Sequence, residues 1–378
     1  MRPKIPSSKP VVNTRKLTPI DTRYKGQVCI NGQSYVQLSA NDYLGLSTHP
    51  QLIQQAQSAL EEYGFGSTGS RLLSGDYTLT HVLEKKLSDF LNKEACLLFN
   101  SGYQLNTGVL PTLLTDKDVV FADKHCHASL IDGLLTSGAT VYRYAHQNLE
   151  HLHTLITKHR ASFEGAFIVS ETLFSMDGDI TDLPALIQFK KQFSCSIYID
   201  DAHGFGLYGS KGQGLTDGFA DKIDYIVGTF GKACGSSGAF IACDTYTAQL
   251  LINNCRSFIY STALPLPVIA WNLGVVNLLP ELTTERQYVQ NLAYLCKQSF
   301  TQHALNFTGE GHIISVITES SEQAELLAST CQKAGFWVLP IRPPTVPKNK
   351  SRVRLCLSPF ITEMQLHELC DVIQRHLT

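Results

Sequence analysis

Between about residues 50 and 255 two hydrophobic patterns alternate along the chain. One has apolar positions at steps of three and four, as in YTLTHVLEKKLSDFL. There Leu79, Val82, Leu83, Leu87, Phe90 and Leu91 share one helical face. The other is a short unbroken apolar run bounded by polar residues or glycine, as in EACLLFN, GAFIVSE, CSIYIDD and KIDYIVGTF. Such runs read as strands buried on both faces. Their alternation with helices predicts an α/β unit with a mainly parallel sheet covered on both sides. Upstream, residues 1 to about 40 are proline-rich and mixed, turning strand-like at SYVQLSA. Downstream of the prolines near residue 265 the pattern changes. SRVRLCLS alternates with period two, as a half-buried strand does, and an amphipathic helix follows to the end. The expected organisation is an N-terminal segment (1–45), a large α/β domain (46–260) and a smaller C-terminal α+β domain (261–378).

Composition narrows the class. A chain of 378 residues with 43% hydrophobic residues can bury a large core. With 17% charged residues and a net charge of -2, it carries neither a nucleic-acid footprint nor an acidic solvating tail. Its 11 cysteines are odd in number and show no C-x-x-C spacing, which fits a reducing cytoplasm better than a disulfide framework. Cys126, between His125 and His127, invites a metal reading, but a small buried thiol is the better one and no metal is expected. Residues 257–280 hold no charge, long enough to cross a bilayer. Pro265, Pro267, Pro280, Asn272 and Asn277 argue instead for a buried helix or an interface, so no membrane association is expected. The first residues contain no apolar core of a signal peptide.

Two motifs mislead. GFGSTG (64–69) matches G-x-G-x-x-G, but an amphipathic helix precedes it where a dinucleotide site needs a strand. A glycine-rich turn lining a pocket fits better. GTFGK resembles the end of a phosphate loop, yet Ile226 stands at the first glycine position and Ala233 at the magnesium-binding hydroxyl.

Ligands of open α/β sheets bind beyond the carboxyl ends of the strands. Collecting polar residues there gives a helix start at Ser101-Gly102-Tyr103, able to favour an anion. It also gives Glu171 with Ser175, Asp200-Asp201 with His203, and Thr229 with Lys232. Taken singly, each has an ordinary reading: a strand end, a helix cap, a satisfied histidine, a solvated lysine. Their joint placement at one sheet edge points to chemistry. Lys232 stands among glycine, serine and alanine with no acid nearby in sequence. A desolvated amine that must be neutral is what a Schiff base with pyridoxal phosphate requires.

The segments NDYLGLSTHP, GSTGSRLLSGDYTLTHVLEKKLSDFL, ETLFSMDGDITDLPAL, IDDAHGFGLYG, GTFGKACGSSGAF, FIYSTALP and RPPTVP together resemble the α-oxoamine synthases, from about residue 35 onward. The resemblance implies the fold type I, aspartate-aminotransferase-like architecture, with pyridoxal 5'-phosphate as cofactor. It implies decarboxylative condensation of an amino acid with an acyl thioester: L-alanine with a pimeloyl thioester, on coenzyme A or a carrier protein, toward biotin. Glycine with an acetyl thioester and serine with a palmitoyl thioester are the alternatives within the family. A non-catalytic partner subunit is a remote one, because the family's lysine is present.

Carried over by residue, the resemblance makes Lys232 the Schiff-base lysine that later removes the α-proton. Asp200 pairs with the pyridine nitrogen, in preference to Asp201, and His203 contacts the ring oxygen. His127 stacks on the ring and can donate a proton, while His125 falls outside the match. Gly102 and Tyr103 make phosphate or pocket contacts, with Ser175 and Thr229 near the cofactor. Arg354 grips the amino-acid carboxylate, although Arg352 shares its strand face and spacing alone does not choose. Thr345 and Asn41 line the amino-acid site, and Arg15 serves acyl recognition. The family forms homodimers with the site between subunits, where Ser261 and Thr262 reach the other subunit's phosphate. Cys234 replaces a bulkier apolar residue of many relatives.

Overall fold

The computed structural model describes residues 17–377, so Arg15 lies outside the described residues. At its centre is a seven-stranded sheet. In spatial order the strands are Ala95–Phe99, Ala239–Cys243, Tyr225–Thr229, Ser196–Asp200, Gly165–Glu171, Asp118–Asp123 and Thr140–Tyr144. Strand Ala239–Cys243 runs antiparallel to both neighbours, and the other adjoining pairs are parallel. All four apolar runs read from the sequence are strands of this sheet. Their side chains are buried on both faces because helices cover both. Ile168, Val169, Ile197, Tyr198 and Ile199 are fully enclosed.

Helix Thr78–Phe90 buries Leu83 and Leu87 as its period predicts, but Val82 faces outward and is 46% exposed. Truncating Leu83 or Leu87 to alanine would cost about 2–5 kcal/mol, since both side chains are fully enclosed. The uncharged stretch forms helix Leu266–Leu278, apolar all round and packed on helices Pro50–Tyr63 and Thr78–Phe90. Gly274 faces helix Pro50–Tyr63 at this contact, where a Cβ would lie 2.8 Å from Leu52 Cδ2 and would displace the Gln55 side chain. Among the described residues no single helix is long and apolar enough to cross a membrane.

Two four-stranded sheets complete the molecule. Thr22–Tyr24, Gln27–Ile30 and Gln33–Gln37 form a meander, and Phe336–Trp337 adds parallel to Gln33–Gln37. The N-terminal strands are thereby tied to the C-terminal third of the chain. The other sheet orders Phe307–Thr308, Ile313–Ile317, Arg352–Cys356 and Pro340–Ile341, all antiparallel. Strand Arg352–Cys356 was expected to be half-buried. It is instead enclosed on both sides, and only Arg354 of its five residues is partly exposed. One face of this strand abuts helix Ser321–Lys333; the other, carrying both arginines, turns toward Met176 and Asn41.

Candidate active site

The carboxyl ends of three parallel strands bring Glu171, Asp200 and Thr229 to one edge, with Glu171 level with Asp200 in the register. Lys232 sits in the turn between Tyr225–Thr229 and its antiparallel neighbour. That turn is fixed from within: Thr229 Oγ1 donates to Gly238 O at 3.0 Å and accepts from Gly231 N at 3.1 Å. Gly235 takes φ of +61°, and a Cβ there would lie 2.3 Å from Ser47 N, so only glycine fits. Trp271 Nε1 donates to Cys234 O at 3.1 Å, anchoring the far side. The backbone around Lys232 is therefore rigid. Its amine has no hydrogen-bond or ion-pair partner among the described residues. Burial lowers its pKa to about 8, against the opposing pull of Asp200 and Glu171.

The two adjacent acids are differently used. Asp200 Oδ2 accepts from Asn106 Nδ2 at 2.9 Å and Oδ1 from Ala202 N at 3.0 Å, which fixes the carboxylate at the strand end. Asp201 is turned into a separate pocket, held by the hydroxyl of Thr172 and by Thr216, with its pKa raised by burial to about 7. Glu171 is buried and accepts the backbone N–H of His127 at 2.6 Å. Burial, with Asp200 beside it, raises its pKa to about 8.

His127 caps helix Ala128–Thr136. Its Nδ1 accepts from Ser129 N at 3.2 Å and lies 2.8 Å from Ser129 Oγ, so the ring is fixed yet exposed on its outer side. Burial lowers its pKa. His203 is fully enclosed, and its Nδ1 lies 2.7 Å from Tyr43 Oη. Burial and the nearby cations push its pKa well below the ordinary histidine value.

The two arginines differ in their partners. Arg352 is occupied: Nη1 bonds Asp177 Oδ1 at 2.7 Å and Met176 O at 2.9 Å, and Nε bonds Lys350 O at 3.1 Å. Arg354 Nη2 bonds Asn41 Oδ1 at 2.8 Å and Tyr43 Oη at 3.0 Å, while its buried Nε has no partner among the described residues. Arg354 thus has no carboxylate partner among the described residues, and its charge is felt at Lys232.

At the helix start, Ser101 caps by accepting from Gln104 N at 3.2 Å. The first intrahelical bond is Leu105 N to Ser101 O, which leaves the Gly102 and Tyr103 amides available to an anion. Tyr103 Oη donates to Asp132. Ser261 Oγ and the Thr262 carbonyl lie against Gln104 and Asn100 of the same chain. Ser175 and Thr345 line a neighbouring cavity of about 370 Å³ with Lys124, Arg143 and Arg352. Cys126 is a buried thiol donating to Val169 O at 3.6 Å, as expected of a structural cysteine.

Tyr43, Asn106 and Ser129 were not singled out from the sequence. Tyr43 lies inside NDYLG, two residues from Asn41, and Asn106 lies one turn beyond Gly102. Only the fold shows that they hold His203 and Asp200.

A family model described as aminotransferase class I and II matches residues 33–373. The 8-amino-7-oxononanoate synthase of Chlorobaculum parvum is 36% identical over 368 residues, covering 95% of this chain and 94% of that one. A Haemophilus influenzae protein carrying the same enzyme name provisionally is 41% identical over 341 residues, or 88% and 89% of the two chains. Among solved structures, a serine palmitoyltransferase of S. paucimobilis with a bound pyridoxal phosphate–myriocin adduct superposes with a TM-score of 0.90. It is 26% identical and covers 94% of this chain and 90% of its own.

Proposed function

The chain belongs to the aminotransferase class I and II family, and from that premise we propose that it is an acyltransferase that uses pyridoxal 5'-phosphate. It condenses L-alanine with a pimeloyl thioester, with loss of carbon dioxide and release of the thiol, to give 8-amino-7-oxononanoate. The residues fit that cofactor. Lys232 offers an unpaired amine on a rigid turn, and Asp200 a fixed carboxylate for the pyridine nitrogen. The Gly102 and Tyr103 amides suit its phosphate, and the outer side of His127 its ring. When bound, pyridoxal phosphate supplies an electron sink for the pair left on the amino acid's α-carbon.

The chain's own groups do the rest. With a pKa of about 8, roughly a tenth of the Lys232 amine is neutral at pH 7. At the ordinary lysine value of about 10.4 that fraction falls below about one in a thousand. Lys232 can therefore accept and return a proton at the α-carbon. Arg354 takes the substrate carboxylate and orients it, with Asn41 and Tyr43 holding the guanidinium through Nη2. His127 accepts from Ser129 N at Nδ1, so its ring proton lies on Nε2, where it can be donated. Thr345 and Ser175 line the cavity through which the acyl donor would approach. We assign the enzyme a homodimer in the cytoplasm, a setting that suits its 11 free cysteines.

The observation that carries this reading is a Lys232 amine with no hydrogen-bond or ion-pair partner among the described residues, under the influence of the buried carboxyls of Asp200 and Glu171 and of the Arg354 guanidinium. The structural likeness to serine palmitoyltransferases favours one second reading, serine with a long-chain acyl thioester. The test supplies alanine, glycine and serine with pimeloyl, acetyl and palmitoyl thioesters and weighs the products. Alanine plus pimeloyl should dominate. Efficient serine plus palmitoyl turnover would install the second reading, and glycine plus acetyl would reject both.

A further inference from the structure

Tyr43 joins three polar side chains of the site through one oxygen. Its Oη lies 2.7 Å from His203 Nδ1, 2.9 Å from Asn41 Oδ1 and 3.0 Å from Arg354 Nη2. The ring is fully buried and packs edge-on against His312, with centroids 4.1 Å apart. No carboxylate takes part in this cluster among the described residues.

A proton count narrows how the bonds run. Arg354 Nη2 can only donate, and its two hydrogens go to Asn41 Oδ1 and Tyr43 Oη. Tyr43 therefore accepts from Arg354 and has one proton to give, to His203 Nδ1 or to Asn41 Oδ1. Asn41 Oδ1 already receives the guanidinium proton at 2.8 Å, whereas His203 Nδ1 is at the shorter distance of 2.7 Å. A cationic donor on the phenol oxygen also strengthens its O–H as a donor. His203 is buried with Lys232, Arg354, His312 and His127 around it, so its ring is neutral and holds one proton.

We propose that Tyr43 is a positioning residue that fixes the His203 proton on Nε2 and ties it to Arg354, the carboxylate grip. The chain runs Arg354 N–H to Tyr43 O–H to His203 Nδ1, leaving His203 Nε2–H as a donor toward the cofactor's ring oxygen. No bond is broken; the ring proton is held on one nitrogen rather than shared between two. An amino-acid carboxylate on Arg354 withdraws part of the guanidinium's hold on Tyr43 Oη, and so reaches His203 two bonds away. This inference rests on the pyridoxal phosphate reading given above.

The test has two arms. Holoenzyme labelled with ¹⁵N-histidine should show His203 with a bare Nδ1 and a protonated Nε2, its signal assigned by loss in His203→Gln. A protonated Nδ1 would overturn the proposal without any Tyr43 variant. Tyr43→Phe then keeps the ring and removes the hydroxyl. Its bound-cofactor visible band should move its pH midpoint upward by about half a unit, about threefold in the proton equilibrium. Its alanine dissociation constant, read by spectral titration without thioester, should rise about three- to tenfold. A variant with a lowered melting temperature but an unmoved midpoint and unchanged His203 tautomer would reduce Tyr43 to a packing residue. A protein that takes up no pyridoxal phosphate would fail the functional reading instead, while the histidine spectrum would still report the tautomer.

Discussion

Arg354→Lys separates the two arginines that share a strand face. The wild-type guanidinium is held by Asn41 and Tyr43 through Nη2 and presents an unpartnered Nε. Its Nη1 has no protein partner among the described residues and can meet a carboxylate through a charge-assisted bond. An ammonium on a four-carbon stem keeps the charge but offers a single point of contact, and it cannot also satisfy Asn41 and Tyr43. Losing one charge-assisted bond costs about 1.5–3 kcal/mol, or roughly 10- to 150-fold in affinity for the amino acid. The same change at Arg352 acts elsewhere. Arg352 is paired with Asp177, whose carboxyl is held well below the usual range by His125 and Arg352 despite its burial. Arg352→Lys should thus lower the melting temperature and leave the alanine KM within about twofold, because its guanidinium is already taken up by Asp177, Met176 O and Lys350 O. The assay is steady-state KM for alanine at saturating thioester, with calorimetry on all three proteins. An unchanged KM in Arg354→Lys alongside a raised KM in Arg352→Lys would refute the reasoning and move the carboxylate to Arg352.

Other outcomes follow from the same geometry. Asp200→Asn should still bind the cofactor by absorbance but lose about a hundredfold or more in kcat, while Asp201→Asn, sequestered by Thr172 and Thr216, should retain turnover within about tenfold. His146 is clamped between Asp123 at 2.7 Å and Asp179 at 2.6 Å. Burial alone would lower its pKa, but the two carboxylates raise it to about 10. Its contribution to stability is therefore complete below about pH 6.5 and fades as pH rises toward 10, so the melting-temperature gap between wild type and His146→Gln should narrow over that window. A constant gap would show that His146 is not charged in the folded state. Alanine should exceed glycine in kcat/KM by about 10- to 200-fold, the worth of one methyl in an apolar pocket, as measured with pimeloyl thioester.

The strands that position the site were legible because each is a bounded apolar run with its polar residue at the carboxyl end. Glu171, Asp200 and Thr229 could all be placed that way. Strand Ala239–Cys243 was harder to read as part of the sheet: it follows the Lys232 turn directly, and its reversed direction depends on Gly235 and Gly238 folding that turn back. The buried character of Arg352–Cys356 was also hidden, because arginines at alternate positions look solvent-facing until Asp177, Asn41 and Tyr43 arrive from distant segments. Distance in sequence explains the missed residues too. Asn106 reaches Asp200 across 94 positions, and Tyr43 reaches His203 across 160. Local patterns carry no sign of such pairings. The choice of Asp200 over Asp201 came from resemblance; the structure supplies a physical reason in the separate pocket that takes Asp201.

The most direct test of the account is chemical. Holoenzyme reduced with borohydride, digested and mapped should carry one pyridoxyl group per chain, on Lys232. That amine has no hydrogen-bond or ion-pair partner among the described residues, and burial lowers its pKa to about 8. A pyridoxyl group on Lys124, Lys211 or any other lysine, or a reduced protein with no such group, would contradict it.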